Sequence, residues 1–393
     1  MNYEQKYLKY KQKYIQTLTK QTGGAPEQVI IDTDPGIDDA LAILLALGNP
    51  KLNVLALTTV FGNFPDVDIL TKNALKILNL ANRRDIPVFQ GETKPLAMPS
   101  EAVPDYIKTQ TFVAQSVAVH GNDGLANLSA ALDTAGLAKQ DEHAADAIIR
   151  LARANPGQII LITLGPLTNL AIAIQREPNL PKLLKKVIIM GGALFSPRGN
   201  PINTSDANLG NAKPCAEANF VKDPDAAQFV LREADGKNGR FSPEQLILIP
   251  LDLTTQTDYI EFGLTKDPTS LPILDQGVIR NFIAETHDYY QNIYRSKFER
   301  KKVAFHDSCA IFFAISPESF LEPAQISINV ETSGQLTSGM SIIENRINVA
   351  SFRSSLFYKP PNVTFYQKIN VFSLYNNIIF SLNNLQRALP SKP

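Results

Sequence analysis

The densest chemistry in this sequence is one eight-residue stretch, Asp32-Thr33-Asp34-Pro35-Gly36-Ile37-Asp38-Asp39, which carries four aspartates. It follows a β-rich apolar run, QVIIDT (28–33), and precedes an apolar helical pattern from Ile37 to Leu47. The stretch therefore reads as a strand-to-helix turn. Helix geometry explains part of it: Asp38 and Asp39 fall in the first turn, where the helix dipole favours acids, and Asp34 is placed to cap the helix. It does not explain four negative charges packed into one turn. Two like charges ~6 Å apart cost under about 1 kcal/mol in water, and more in a cleft of lower dielectric. A hard cation would remove that cost, and carboxylates with backbone carbonyls and waters are the ligand set of Ca²⁺ or Mg²⁺. Zinc does not fit, because no His/Cys cluster accompanies the acids.

The elements that must position this turn alternate. After QVIIDT come the strand patterns VLALTTV (54–60), IILIT (159–163), VIIM (187–190) and LILIPL (246–251). Helical patterns separate them, near 68–82, 144–154, 167–175 and 276–296. Apolar strands separated by helices predict βαβ units and a mostly parallel central sheet covered by helices on both faces. The fold class is thus α/β, an open Rossmann-like sheet in one domain spanning residues 25–393. In such sheets ligands bind beyond the carboxyl ends of the strands. Those ends deliver polar or glycine-rich material: the aspartate turn, Phe61-Gly62-Asn63, Leu164-Gly165-Pro166-Leu167-Thr168-Asn169, and Met190-Gly191-Gly192. Two polar inserts, 196–210 and 235–245, read as surface loops.

Residues 1–24 stand apart. This segment has five Lys and one Glu, and Tyr3, Tyr7, Tyr10 and Tyr14 share one helical face. It reads as a basic extension, either a solvated helix or a docking tag. It resembles low-complexity leaders found on proteins of giant DNA viruses, which would imply a role in virion packaging.

Across all 393 residues, 38 Lys+Arg balance 38 Asp+Glu, which argues against binding nucleic acid or an anionic membrane by bulk charge. With 44% hydrophobic and 19% charged residues the chain can build a sizeable core. No apolar run is long enough to span a bilayer. Two cysteines, Cys215 and Cys309, are too few for a disulfide scaffold. With no secretory signal pattern, an intracellular, reducing setting is the expectation.

The aspartate turn also belongs to a longer ordered set. VIIDTDPGIDDALAILLAL resembles the signature of the inosine-uridine preferring nucleoside hydrolases, which carry a DxDPGxDD segment after their first strand. The likeness continues through TTVFGN (58–63), HGNDGL (120–125), LGPLTN (164–169), MGGA (190–193), NAKPCAEANFVKDPDAA (211–227) and FHDSCAIFF (305–313). It covers residues 28 to about 345, and the AEAN form resembles the plant-type, uridine-preferring branch.

The resemblance implies Ca²⁺ held by Asp34, Asp39, the Leu164 carbonyl and Asp307, with Asp32 supporting the metal loop from behind. It implies that Asp38, Asn63 and Asn219 read the ribose 2′- and 3′-hydroxyls, with Asn211 and Glu217 at the 5′ end and Met190 lining the pocket. The chemistry implied is hydrolysis of the N-glycosidic bond of a ribonucleoside, with Asp34 activating a water held by the ion. His306 is the candidate acid for the leaving base, or alternatively only orients Asp307. His120 lines the base pocket or caps a loop. Tyr290 and Tyr294 are placed to touch the base, although one helical turn apart they could equally pack on each other. The resemblance further implies a homodimer or homotetramer whose partner is a small nucleoside.

Some residues depart from the family pattern. Ala218 stands where several members have Phe, and Asn200 competes with Asn211 for one role. The absence of Trp excludes indole stacking against a purine. Two other functions stay open on the residues alone. One is a haloacid-dehalogenase-like, Mg²⁺-dependent phosphatase with Asp32 as nucleophile, since Asp32-Thr33-Asp34 mimics that DxD motif. The other is a catalytically silent nucleoside-binding protein.

Overall fold

The computed structural model describes residues 24–96, 117–194, 210–232, 240–257, 274–298, 303–343 and 360–390. Residues 1–23 of the leader, with its tyrosines, and Asn200 lie outside these residues.

The strands among the described residues are β1 (Glu27–Thr33), β2 (Leu52–Thr59), β3 (Val88–Gln90), β4 (Ile159–Thr163), β5 (Leu184–Met190), β6 (Leu246–Ile249), β7 (Phe320–Ile326), β8 (Ile328–Val330), β9 (Ser341–Ile343) and β10 (Val363–Ile369). The five strand patterns of the sequence are β1, β2, β4, β5 and β6, and the other five strands were not expected. The principal helices between and after them are α1 (Ile37–Gly48), α2 (Val67–Leu80), α3 (Ala144–Ala154), α4 (Thr168–Arg176), α5 (Ala218–Lys222), α6 (Pro224–Leu231), α7 (Val278–Phe298), α8 (His306–Ile315) and α9 (Val371–Ala388). Eight strands form one sheet in the order β3-β2-β1-β4-β5-β6-β10-β7, and β8 pairs with β9 separately. Every pairing in the large sheet is parallel except β10 with β7. The α/β, mostly parallel expectation therefore holds.

The central strands are apolar along their whole length because both faces are covered. One core packs α1, α7, α8 and α9 on one face, and the other packs α3, α4 and α6 on the opposite face. Helix α1 explains how the aspartate turn is held still. Among its 12 residues, all but Asp38 are buried. It is hydrophobic all round because α8 and α9 pack over it. Fully burying a leucine such as Leu44 or Leu45 contributes about 1.5–3 kcal/mol. The C-terminal helix α9 also ties down the end of α1. The Asn49 amide donates to Asn377 Oδ1 and Ser381 Oγ at 3.3 and 3.2 Å, and Asn384 donates to the Gly48 carbonyl at 3.1 Å. Residues beyond 345 thus add strand β10 to the sheet and clamp the helix that carries the acids. Among the described residues, no helix is long and apolar enough to cross a membrane.

Candidate active site

Strands β1, β2, β4 and β5 lie side by side in parallel, so their carboxyl ends deliver their loops to one place. Register puts Asp32 opposite Thr58 on one side and Thr163 on the other. Asp32 is wholly buried, and its Oδ1 accepts the Thr58 hydroxyl at 2.6 Å and the Asn169 amide at 2.8 Å. Burial pushes its carboxyl up to about 6, against those two hydrogen bonds. A phosphatase would need this carboxylate exposed as a nucleophile. Sealed between strands, it ties β1 to Thr58 of β2 and Asn169 of α4 instead, and the phosphatase alternative is not favoured.

Asp34 emerges beyond the strand and is clasped from two sides. Its Oδ2 accepts the Asn63 backbone N–H at 2.7 Å and the Lys222 ammonium at 3.2 Å. A Cβ on Gly62 would sit 1.9 Å from that oxygen, and one on Gly165 would sit 2.7 Å from Oδ1. The loops after β2 and β4 close on this carboxylate because both positions lack a side chain. The expectation that Asp34 caps α1 is corrected here. The cap residue is Gly36, whose N–H donates to Asp39 Oδ2 at 3.0 Å. Asp39 sits three residues into the chain from that cap and can reach back, whereas Asp34 precedes a proline and turns outward to Asn63 and Lys222. Asp39 further accepts the Thr33 hydroxyl at 2.5 Å and the Asn63 side-chain amide at 2.9 Å.

Asp307, the second residue of α8, crosses the fold to meet this turn. Asp38, Asp39 and Asp307 each offer an oxygen within 4.8 Å of the others. Burial pushes the carboxyls of Asp34, Asp38, Asp39 and Asp307 above their ordinary range, and the neighbouring carboxylates push Asp34, Asp39 and Asp307 further in the same direction. Three of these oxygens, Asp34 Oδ1, Asp38 Oδ1 and Asp307 Oδ2, are buried with no hydrogen-bond partner among the described residues. Buried polar atoms are normally satisfied, so the orphans on Asp38 and Asp307, both within that three-carboxylate group, mark a place for a ligand, and Asp34, outside the group, brings a third. An all-carboxylate donor set fits a hard divalent cation.

The remaining expected residues arrange themselves around this cluster. Asn219 is buried, and its amide donates to the Leu164 carbonyl at 2.6 Å and the Met190 carbonyl at 3.2 Å, which ties the ends of β4 and β5 to α5. Glu217 caps α5: Oε1 accepts from Asn219 N–H, while Oε2 accepts from Phe220 and Gly192 N–H. Those three donors leave little of the carboxylate free. Asn211 is exposed and accepts the Ala218 N–H at 2.8 Å, so it is not drawn in among the aspartates.

His120 is buried. Its Nδ1 accepts the Ile37 N–H at 3.3 Å, and its ring stacks on Tyr290 with centroids 6.0 Å apart. Burial first, then the charge of Lys222, lowers it to about 4, so the ring is neutral and available as an acceptor. Tyr290 is buried between His120 and Tyr294, in hydroxyl contact with Tyr294 at 3.3 Å, and it lines a narrow cavity with Asp38, His287 and Phe305. Packing and proximity to the acids thus hold together for Tyr290. His306 opens α8, buried, with Nδ1 at 2.7 Å from the Thr254 hydroxyl.

Several residues at the site were not singled out from the sequence. Lys222 is the foremost, a buried lysine in contact with both Asp34 and Asn63 Oδ1, the latter at 3.0 Å. Its position three residues after Asn219 in the same short helix was the available signal. Asn169, Thr58 and Thr254 hold Asp32 and His306 in place but lie 26 to 137 residues from them, beyond the reach of local spacing.

Comparison with known proteins agrees with this geometry. Residues 29–376 match the family model described as inosine-uridine preferring nucleoside hydrolase. Uridine nucleosidase 1 of Arabidopsis thaliana is 34% identical over 316 residues, covering 79% of this chain and 80% of that protein. The inosine-uridine preferring nucleoside hydrolase of Crithidia fasciculata is 32% identical over 325 residues, 82% of this chain and 89% of that protein. A solved plant nucleoside hydrolase superposes with a TM-score of 0.73 at 28% identity, covering 91% of this chain and 99% of its own. With the acids of the signature gathered at one sheet end and the match running through nearly all of the chain, the protein is a ribonucleoside-hydrolysing enzyme that belongs to the inosine-uridine preferring nucleoside hydrolase family.

Proposed function

We propose that the protein cleaves the N-glycosidic bond of uridine or inosine, releasing free base and ribose, with Ca²⁺ held by Asp34, Asp39, Asp307 and the Leu164 carbonyl. The observation that carries this reading is the set of orphaned carboxylate oxygens at Asp34, Asp38 and Asp307. The carbonyl of Leu164 has a second lone pair beside its bond from Asn219, so it can serve without breaking that bond. Bound there, calcium supplies Lewis acidity toward water and an anchor for the ribose diol.

The chain's own residues do the rest. Asp34, gripped at Oδ2 with Oδ1 free, accepts a proton from the attacking water as oxygen bonds to C1′. The C1′–N bond breaks, its electron pair leaves with the base, and His306 hands that nitrogen a proton. Thr254 fixes the His306 ring for the transfer. The buried acids stabilise positive charge developing on the sugar, which a neutral pocket would not. Asp38, Asn63 and Asn219 take the 2′- and 3′-hydroxyls and align the sugar for attack. Asn211 and Glu217 face the 5′ end, and Met190, His120, Tyr290 and Tyr294 line the base. Residues 25–393 act as one unit in this reading, assembled as a homodimer or homotetramer, with 1–24 as an appendage.

A panel of nucleosides and nucleotides, assayed with calcium and with chelator, tests it. Ribose and base should appear from uridine or inosine only with the ion present. Phosphate release from nucleotides without any base release would defeat the proposal.

A further inference from the structure

Lys222 introduces a cation where the proposed reading already requires one. It ends α5, is almost fully buried, and places Nζ 3.2 Å from Asp34 Oδ2 and 3.0 Å from Asn63 Oδ1. Its charge reaches further, acting favourably on the carboxylates of Asp38 and Glu217. A buried ammonium is costly unless paired, and the carboxylates of Asp34, Asp38 and Glu217 repay that cost here. The division of Asp34 is specific: the lysine holds Oδ2, while Oδ1 points free and buried.

We infer that Lys222 is a resident counter-ion of the aspartate cluster that competes electrostatically with the bound divalent cation, holding the metal-free site together and weakening its affinity for the ion. The inference rests on the proposed cation site. An ammonium on one oxygen of a ligand carboxylate stands only a few ångströms from an ion on the other. Like charges at that distance repel strongly in a buried site. The same contact keeps Asp34 aimed while no ion is present, because the ammonium and the Asn63 N–H grip one oxygen from two directions. Lys222 is therefore a positioning residue with two opposed effects, on the order of the metal-free site and on the strength of metal binding.

The effects separate in binding measurements that need no turnover. Full-length wild type, Lys222→Met and Lys222→Gln are stripped with chelator and titrated with CaCl₂ by calorimetry, and melted in chelator. Both variants should bind calcium at least about tenfold more tightly than wild type. Both should also melt at lower temperature without the ion. Glutamine keeps a donor but no charge, so it should behave like methionine, and it provides a second folded variant should methionine fail to fold. Equal calcium affinity in all three proteins would overturn the inference while leaving the cation site standing. So would glutamine behaving as wild type, since a hydrogen bond rather than charge would then be responsible. Calcium binding by the variants alone would support the competition in its strongest form. No binding by any of the three would remove the cation site and the competition together.

Discussion

Replacing Asp307 with Asn should stabilise the metal-free protein while abolishing its activity. Asp38, Asp39 and Asp307 bring oxygens within 4.8 Å of one another. At an effective dielectric of about 20, two full charges at that separation repel by about 3 kcal/mol. Removing the Asp307 charge removes two such pairs. Burial and mutual repulsion already raise these carboxyls, and Asp307 shares a hydrogen bond with Asp39, so a proton within the cluster relieves much of this in the wild type. A net gain of about 1–3 kcal/mol remains, and asparagine can still donate to Asp39. With an unfolding entropy near 2.1 cal/mol/K per residue, a chain of this length gains about 1–4 °C in Tm. Calorimetry at pH 7.5 in chelator should show the variant melting above wild type. The sign with pH is fixed by the direction of the shifts. These carboxyls are raised above 3.8 in the folded protein, so metal-free stability is lost as pH rises above that value, and the variant's advantage should shrink as pH falls toward 4. Added calcium should reverse the order, because only wild type keeps its full ligand set. A variant that melts below wild type in chelator at pH 7.5 would refute the claim that these acids are mutually destabilising.

Gly165→Ala should preserve the fold but cost at least about a hundredfold in kcat/KM, because its Cβ would meet Asp34 Oδ1 at 2.7 Å and displace the proposed base; near-wild-type kinetics would contradict the clasp. Thr254→Val removes the hydroxyl at His306 Nδ1, and steady-state kinetics should show kcat falling about tenfold with KM nearly unchanged. A change confined to KM would mean that the pair serves binding alone. His287, stacked on Phe305, is lowered by burial to about 4 from 6.5. The folded state therefore disfavours its proton, and stability should fall by up to about 3 kcal/mol as pH drops from 6.5 to 4. Urea titrations of His287→Phe should show a shallower fall over that interval, and an identical slope would dismiss the contribution.

The parts of the site that were legible in sequence are local. Four aspartates within eight residues form one turn, and β1 and α1 on either side announce themselves by uninterrupted apolar runs. Asp307, Asn219 and His306 could be placed only through the ordered likeness to a family, because nothing in their spacing says that α5 and α8 converge on β1. Lys222 lies within the motif NAKPCAEANFVKDPDAA, yet a lysine reads as surface until the fold buries it against Asp34. Edge and late elements were silent for other reasons. Strand β3 has three residues, and VTFYQKI in β10 shows no clean alternation. Helix α9 is rich in asparagine and serine, poor helix formers that here serve as buried hydrogen-bonding groups against α1.

Uridine hydrolysis by calcium-stripped protein, before and after calcium is restored, tests the central claim most directly when wild type and Asp34→Asn are compared at matched circular dichroism. Restored wild type should release uracil and ribose, while the variant's rate falls by at least about a thousandfold. A variant within tenfold of wild type would show that Asp34 is not the group that activates water.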